Sequence, residues 1–247
     1  MSVALITGAS RGIGRATALL LAEQGYTIVV NYHKNAQAAQ EVVKAIQAKG
    51  GKALAVQADI ADEAQVMAMF EQTDALGEPL GALVNNAGIL FTQCRVEALT
   101  AERINNVLHT NVTGYFLCCR EAVKRMAHHH GGQGGAIVNV SSAASRLGAP
   151  GEYVDYAASK GAVDTLTIGL SLEVAGQGVR VNCVRPGLIY TEMHASGGEP
   201  GRVDRVKSAL PMQRGGQPEE VAEAIAWLLS DKASYVTGSF IELAGGK

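Results

Sequence analysis

The chain has 247 residues, 47% of them hydrophobic, enough to bury one sizeable core in a single α/β domain. Its 21 Lys and Arg nearly balance 23 Asp and Glu, and a formal charge of −2 gives no footprint for nucleic acid or an anionic membrane. No apolar run approaches the roughly 20 residues of a membrane span, and the N-terminus lacks the basic start and cleavage site of a secretory signal; a cytoplasmic location is expected. In chain order, strands are predicted over 3–7, 27–32, 53–58, 82–85, 136–140, 179–184 and 239–243. Helices are predicted over 16–24, 36–49, 63–76, 102–126, 157–174 and 219–230. Gly25, Gly50 and Gly77 stop three of these helices, and Pro218 marks the start of the last. Most strand runs are apolar on both faces, which suits a parallel sheet covered by helices on each side. The expected fold class is therefore α/β, a Rossmann-type doubly wound parallel sheet of seven strands in one domain over residues 1–247. Residues 188–217, irregular and rich in Gly and Pro, are the expected substrate lid.

Between the first strand and the helix that follows lies Thr7-Gly8-Ala9-Ser10-Arg11-Gly12-Ile13-Gly14. Glycines there let backbone approach a pyrophosphate, and the helix start offers free N–H groups and a positive dipole end. A plain tight turn is the competing reading of the loop taken alone. At the end of the second strand, an acid would bind the adenosine ribose and select NAD. Asn31-Tyr32-His33-Lys34 contains none. Arg11 and Lys34 are instead the expected partners of a 2′-phosphate, although solvated surface charge is their alternative, and NADP(H) is favoured over NAD(H). Tyr156 and Lys160 stand four apart, on one helix face with Cβ atoms about 6 Å apart. The ammonium is expected to favour the phenolate and make Tyr156 a usable acid or base near neutral pH. An exposed helix pair is the other reading of these two residues. Tyr153 has Ala157 four residues on and no lysine on its face. Cys94, Cys118, Cys119 and Cys183 match no zinc spacing, and three consecutive histidines, His128 to His130, cannot share one helix face, so no metal and no disulfide are expected.

The loop spacing G-x-x-x-G-x-G departs from the G-x-G-x-x-G fingerprint. Together with Asn85-Asn86-Ala87-Gly88, Asn111, Ser142, the pair Tyr156 and Lys160, and Pro186-Gly187, it follows the order found in short-chain dehydrogenases/reductases. The chain resembles that family from end to end, including 3-oxoacyl-carrier-protein reductases and glucose dehydrogenases. The resemblance implies hydride transfer between the nicotinamide and a carbonyl or alcohol substrate, with Asn111, Ser142, Tyr156 and Lys160 catalytic. Tyr156 would exchange the proton, Ser142 would hold the substrate oxygen, and Asn111 would hold a water linking Lys160 to solvent. Ser142 lies one residue further from Tyr156 than is usual in the family, which keeps Ser141 open as the alternative. Cofactor contacts are implied for Gly8, Ser10, Arg11, Gly12, Ile13, Gly14, Asn31, Lys34, Asp59, Ile60, Asn86, Ala87, Gly88, Tyr156, Lys160, Pro186, Gly187, Ile189 and Thr191. Substrate contacts are implied for Ser142, Ala144, Tyr153, Tyr156 and Met193. A homotetramer is implied as well. The substrate's identity is not written in these residues. A nucleotide-binding sensor or structural homologue without turnover is the alternative, and it would be expected to have lost Tyr156 or Lys160. An epimerase or dehydratase on the same scaffold would usually carry an added substrate domain.

Overall fold

Strands β1 (Val3–Ile6), β2 (Thr27–Tyr32), β3 (Ala53–Gln57), β4 (Leu80–Asn85), β5 (Gly135–Val140), β6 (Val179–Pro186) and β7 (Phe240–Leu243) form one sheet in a computed structural model that describes residues 2–247. The strand order is β3-β2-β1-β4-β5-β6-β7, and every pairing is parallel. Runs such as Val3–Ile6 are apolar at every position because both faces are covered, and all four residues are buried. β1 pairs with β2 on one side (Ile6↔Val30) and with β4 on the other (Ile6↔Val84). The chain changes direction across the sheet at that point, so the loops after β1 and β4 part and leave a crevice at the strands' C-terminal ends.

The helices are α1 (Gly12–Glu23), α2 (Ala36–Ala48), α3 (Glu63–Asp74), α4 (Ala101–Leu108), α5 (Gly114–Met126), α6 (Ala144–Leu147), α7 (Val154–Val174), α8 (Met193–Ser196), α9 (Arg202–Val206) and α10 (Pro218–Leu229). Leu21, Val42, Ile46 and Ile225 seat α1, α2 and α10 on one face of the sheet. Phe70, Tyr115, Met126 and Val163 seat α3, α5 and α7 on the other. Several helix starts are fixed by side chains: Asn35 accepts from Ala38 N at 3.0 Å and Asp62 from Gln65 N at 3.1 Å. At α10, Pro218 takes the first position while the Glu220 carboxylate returns to Gln217 N at 2.8 Å. α1 has no side-chain cap, which leaves its first-turn N–H groups to the crevice.

The larger departures from the sequence expectation are in three helices. α1 begins at Gly12 rather than at 16, because packing of the glycine loop outweighs its poor helix propensity. The single helix expected over 102–126 is instead α4, a π-helical turn His109–Thr113, and α5. α7 begins at Val154 rather than at 157, so that Tyr156 and Lys160 both lie on it. The irregular stretch 188–217 contains α8, α9 and a 3-10 turn, Lys207–Ala209. No helix among the described residues is long and apolar enough to cross a membrane.

Candidate active site

Two asparagines shape the loop after β1. Asn31 Oδ1 accepts from Gly8 N at 3.1 Å, while its Nδ2 donates to Ala58 O at 3.1 Å. Asn31 is buried with its amide engaged by backbone, so it supports the loop, and it also borders the larger cavity of the crevice. Asn86 Nδ2 donates to Thr7 O at 2.9 Å and Gly8 O at 3.1 Å, tying the loop after β4 to the loop after β1. Gly14 was expected among the cofactor contacts but lies beneath them. A methyl there would stand 2.5 Å from Asn86 Nδ2 and 2.6 Å from Gly8 O, so the residue lets α1 pack on the loop and does not line the crevice.

The crevice consists of two adjoining cavities of about 590 and 450 Å³ that share Ile13, Asn86, Leu90, Thr191 and Met193. The larger is lined by Gly8, Ser10, Arg11, Gly12, Lys34, Asp59, Ile60, Ala87 and Gly88. Asp59 Oδ1 accepts from Ala61 N at 3.0 Å, and its other oxygen stands 3.7 Å from His33 Nε2. Arg11 and Lys34 are exposed at the rim, and among the described residues neither is ion-paired. A glycine-rich cradle, an uncapped helix start and two unpaired cations form a donor set that fits a dinucleotide carrying an extra phosphate.

The smaller cavity gathers Ser142, Ala144, Tyr153, Tyr156, Lys160, Pro186, Gly187, Ile189 and Met193. The two serines separate cleanly. Ser141 is buried and its Oγ donates to Lys160 O at 3.1 Å, a structural bond. Ser142 is half-buried, its Oγ accepts from Ala144 N at 3.1 Å and donates to Pro186 O at 3.4 Å, and it lines the same cavity as the Tyr156 phenol.

The electrostatics of the Tyr-Lys pair differ from the sequence expectation. Burial pushes the Tyr156 phenol up to about 12, against a smaller opposing effect of the Ser142 hydroxyl. Lys160 does not offset this. Its Nζ stands 5.7 Å from the Tyr156 ring centroid and donates to Val140 O at 2.8 Å and to the Tyr115 hydroxyl at 3.2 Å. Burial in turn brings Lys160 down to about 8. At neutral pH Tyr156 is therefore a protonated phenol, fit to donate, beside a buried ammonium.

Asn111 is buried, and its side-chain amide is engaged by the protein. From the π-helical turn its Oδ1 accepts from Ile89 N at 2.8 Å and its Nδ2 donates to Ile89 O at 2.9 Å and Ser159 Oγ at 3.1 Å. It thereby fastens the segment after β4 to α7. Gly88 leaves a gap beside it: a methyl there would lie 3.4 Å from Asn111 Oδ1 and 3.6 Å from Lys160 Nζ.

Several lining residues were not legible in the sequence. Glu152, Arg202 and Lys247 reach the smaller cavity. Arg202 pairs with both Glu152 and Glu199, and Arg205 also pairs with Glu199. Gln93 adds a bond to Glu199 at 2.8 Å, which joins α9 to the segment after β4. Clusters of Arg and Glu in a glycine-rich stretch carry no sequence signal of which partners will meet.

Residues 8–247 match the family model described as enoyl-(acyl carrier protein) reductase. The "Uncharacterized oxidoreductase YgfF" of Escherichia coli is 79% identical over 247 residues, covering 100% of both chains. The "3-oxoacyl-[acyl-carrier-protein] reductase FabG" of Staphylococcus aureus is 39% identical over 243 residues, covering 98% of this chain and 96% of its own. Among solved structures, a short chain dehydrogenase from Burkholderia cenocepacia in complex with NADP superposes with a TM-score of 0.90 at 33% identity, over 99% of this chain and 97% of that one.

Proposed function

The chain belongs to the short-chain dehydrogenase/reductase family and is an oxidoreductase, and from that premise we propose that it is an NADP(H)-dependent reductase of free, uncharged and largely apolar ketones or aldehydes. One observation carries the reading: a continuous crevice joins the glycine loop and the unpaired Arg11 and Lys34 to Ser142 and Tyr156. When bound, the nicotinamide supplies the hydride. The loop from Gly8 to Ile13 and the first turn of α1 hold the pyrophosphate. Arg11 and Lys34 hold the 2′-phosphate, Asp59 and Ile60 flank the adenine, and Asn86 to Gly88 with Ile189 and Thr191 border the nicotinamide half. Ser142 holds the carbonyl oxygen against Tyr156, whose phenol donates its proton to that oxygen as the carbon gains hydride. Lys160, charged below about pH 8, sets a buried positive charge 5.7 Å from the Tyr156 ring, on the side where proton transfer leaves a phenolate. Asn111 acts indirectly, by holding the segment after β4.

The substrate reading follows from how many of the polar groups are already engaged, Lys247 being the cation at the exposed edge that is not paired among the described residues. In the smaller cavity Arg202 is bound to Glu152, the Tyr153 hydroxyl donates to Gly197 O at 3.4 Å, and His194 Nε2 meets Ile189 O at 2.9 Å. Leu90, Leu147, Pro150, Leu188, Val206 and Leu210 supply apolar wall. The hydroxyls of a sugar would find few partners there and would be left desolvated. Arg146 on α6, Arg185 at the end of β6, and Arg202, Arg205, Lys207 and Arg214 in the lid segment are each paired with a carboxylate, which leaves an acidic carrier protein few free cations on that side. Residues 188–217 serve as the lid. The exposed Phe116, Ile168 and Leu172 on α5 and α7, and Trp227 and Tyr235 elsewhere, suit a homotetramer working in the cytoplasm. The test is oxidation of NADPH against a panel of apolar ketones and aldehydes, sugars and acyl thioesters. Turnover concentrated in the apolar carbonyls supports the reading; preference for sugars or carrier-bound thioesters refutes its substrate half.

A further inference from the structure

Lys160 has three N–H donors, and the protein itself engages two of them. One meets Val140 O at 2.8 Å and another the Tyr115 hydroxyl oxygen at 3.2 Å. The Tyr115 hydroxyl donates in turn to Val140 O at 3.1 Å, so ammonium, phenol and carbonyl close a triangle. Tyr115 is 0% exposed and Lys160 2%. Tyr115 is the second residue of α5, just after the π-helical turn that carries Asn111, and beyond packing the reading above gives its hydroxyl no role. Packing alone would be met by a phenylalanine. A hydroxyl placed in that core costs free energy unless it is bonded, and here its bonds run to Lys160 and to the carbonyl Lys160 also uses.

We propose that Tyr115 is a positioning residue for Lys160, its hydroxyl accepting one ammonium N–H and bracing the carbonyl that accepts another, so that the cation is fixed at the end of β5 with one donor to spare. The proposal rests on the reading in which the charge of Lys160 serves proton transfer at Tyr156. Burial holds the Tyr115 phenol well above its ordinary range, so it stays protonated and keeps both bonds across the working pH. The other titratable groups around Lys160 are Tyr156 and Asp164 on α7 and Cys183 on β6. Asp164 is paired with Arg185 at 2.9 Å, Cys183 is pushed up to about 12 by burial, and Tyr156 likewise to about 12. Near pH 8 the titrating member of the group is therefore Lys160. Removing an acceptor from a buried ammonium disfavours its charged form, which moves the titration to lower pH.

The experiment is a pH titration of the Lys160 Cε signal by NMR in the full chain carrying isotope-labelled lysine, with and without saturating NADPH, for the wild type and Tyr115→Phe. The Lys160 signal is assigned by its loss in Lys160→Met. The wild type is expected to titrate near 8, and Tyr115→Phe lower by on the order of one pH unit, with the alkaline limb of turnover moving in step. A folded Tyr115→Phe whose Lys160 midpoint is unchanged overturns the proposal. Should that variant fail to fold, 4-fluorophenylalanine placed at Tyr115 fills the hydroxyl's volume without its hydrogen bonds, and the same two outcomes apply. The titration needs no turnover. A shifted midpoint in a protein inert toward every carbonyl would thus uphold the Tyr115 role while sinking the reductase reading.

Discussion

Arg103 offers the sharpest structural perturbation, because one guanidinium joins three parts of the site. Its Nε donates to Asp155 Oδ2 at 2.7 Å, its Nη2 to Asp155 Oδ1 at 3.3 Å and its Nη1 to Thr92 O at 2.6 Å. Arg103 stands on α4, Asp155 is the residue before Tyr156, and Thr92 lies in the segment after β4. Side-chain exposures of 16% and 3% make this a mostly buried pair. Arg103→Ala strands the Asp155 carboxylate, a loss of about 3 kcal/mol for a broken buried pair, and the lost bond to Thr92 O adds about 1 kcal/mol. For a chain of this length each kcal/mol moves the melting temperature by about 2–4 °C, so a fall of about 10 °C is expected in calorimetric melts. The double variant Arg103→Ala with Asp155→Ala should lose less than the sum of the two singles, by about 2 kcal/mol. A single variant within about 0.5 kcal/mol of wild type would refute the reasoning, and additive singles would show that the pair does not interact.

Tyr156→Phe should bind NADPH as the wild type does while turnover falls by about 100-fold or more; single-turnover kinetics beside a binding titration separates the two, and wild-type turnover would remove Tyr156 as the proton donor. Arg11→Ala and Lys34→Ala should each weaken NADPH by about tenfold and leave NADH nearly unchanged, whereas equal losses for both nucleotides would take these residues out of the 2′-phosphate site. The pH dependence has a defined sign, because burial lowers Lys160 from 10.5 to about 8. Turnover should fall as pH rises through about 8 and the ammonium is lost. Between about 8 and 10.5 the unfolded chain holds a proton that the folded chain has shed, so the stability contribution of Lys160 rises across that window. Urea melts of the wild type and Lys160→Met across that range should diverge, and parallel curves would contradict a depressed Lys160.

The sheet was legible because apolar runs such as Val3–Ile6 and the 27–32 stretch can be satisfied only when both faces are covered. The glycine loop and the Tyr156 and Lys160 pair were legible because their spacing matches a local geometry, a strand–loop–helix junction in one case and one helix turn in the other. The π-helical turn was hidden, since its sequence, His109–Thr113, reads as ordinary helix and its extra residue is fixed by the Asn111 bonds to Ile89. Sequence spacing placed Lys160 near Tyr156 but could not reveal that Val140 O and Tyr115 would take its protons, nor that burial would raise Tyr156 instead of lowering it. Both depend on β5 and α5, which are distant in sequence from α7. Ser141 and Ser142 both border the cavity, and they differ in that the Ser141 hydroxyl is committed to Lys160 O, a bond that counting along the chain does not reveal.

The most direct test of the central claim is calorimetric titration of the purified protein with NADPH and with NADH at fixed ionic strength. The account predicts one site per chain, with NADPH bound at least tenfold more tightly than NADH and that margin cut about tenfold in Arg11→Ala. Equal affinity for the two nucleotides would contradict the role given to Arg11 and Lys34, and failure to bind either would contradict the cofactor site itself.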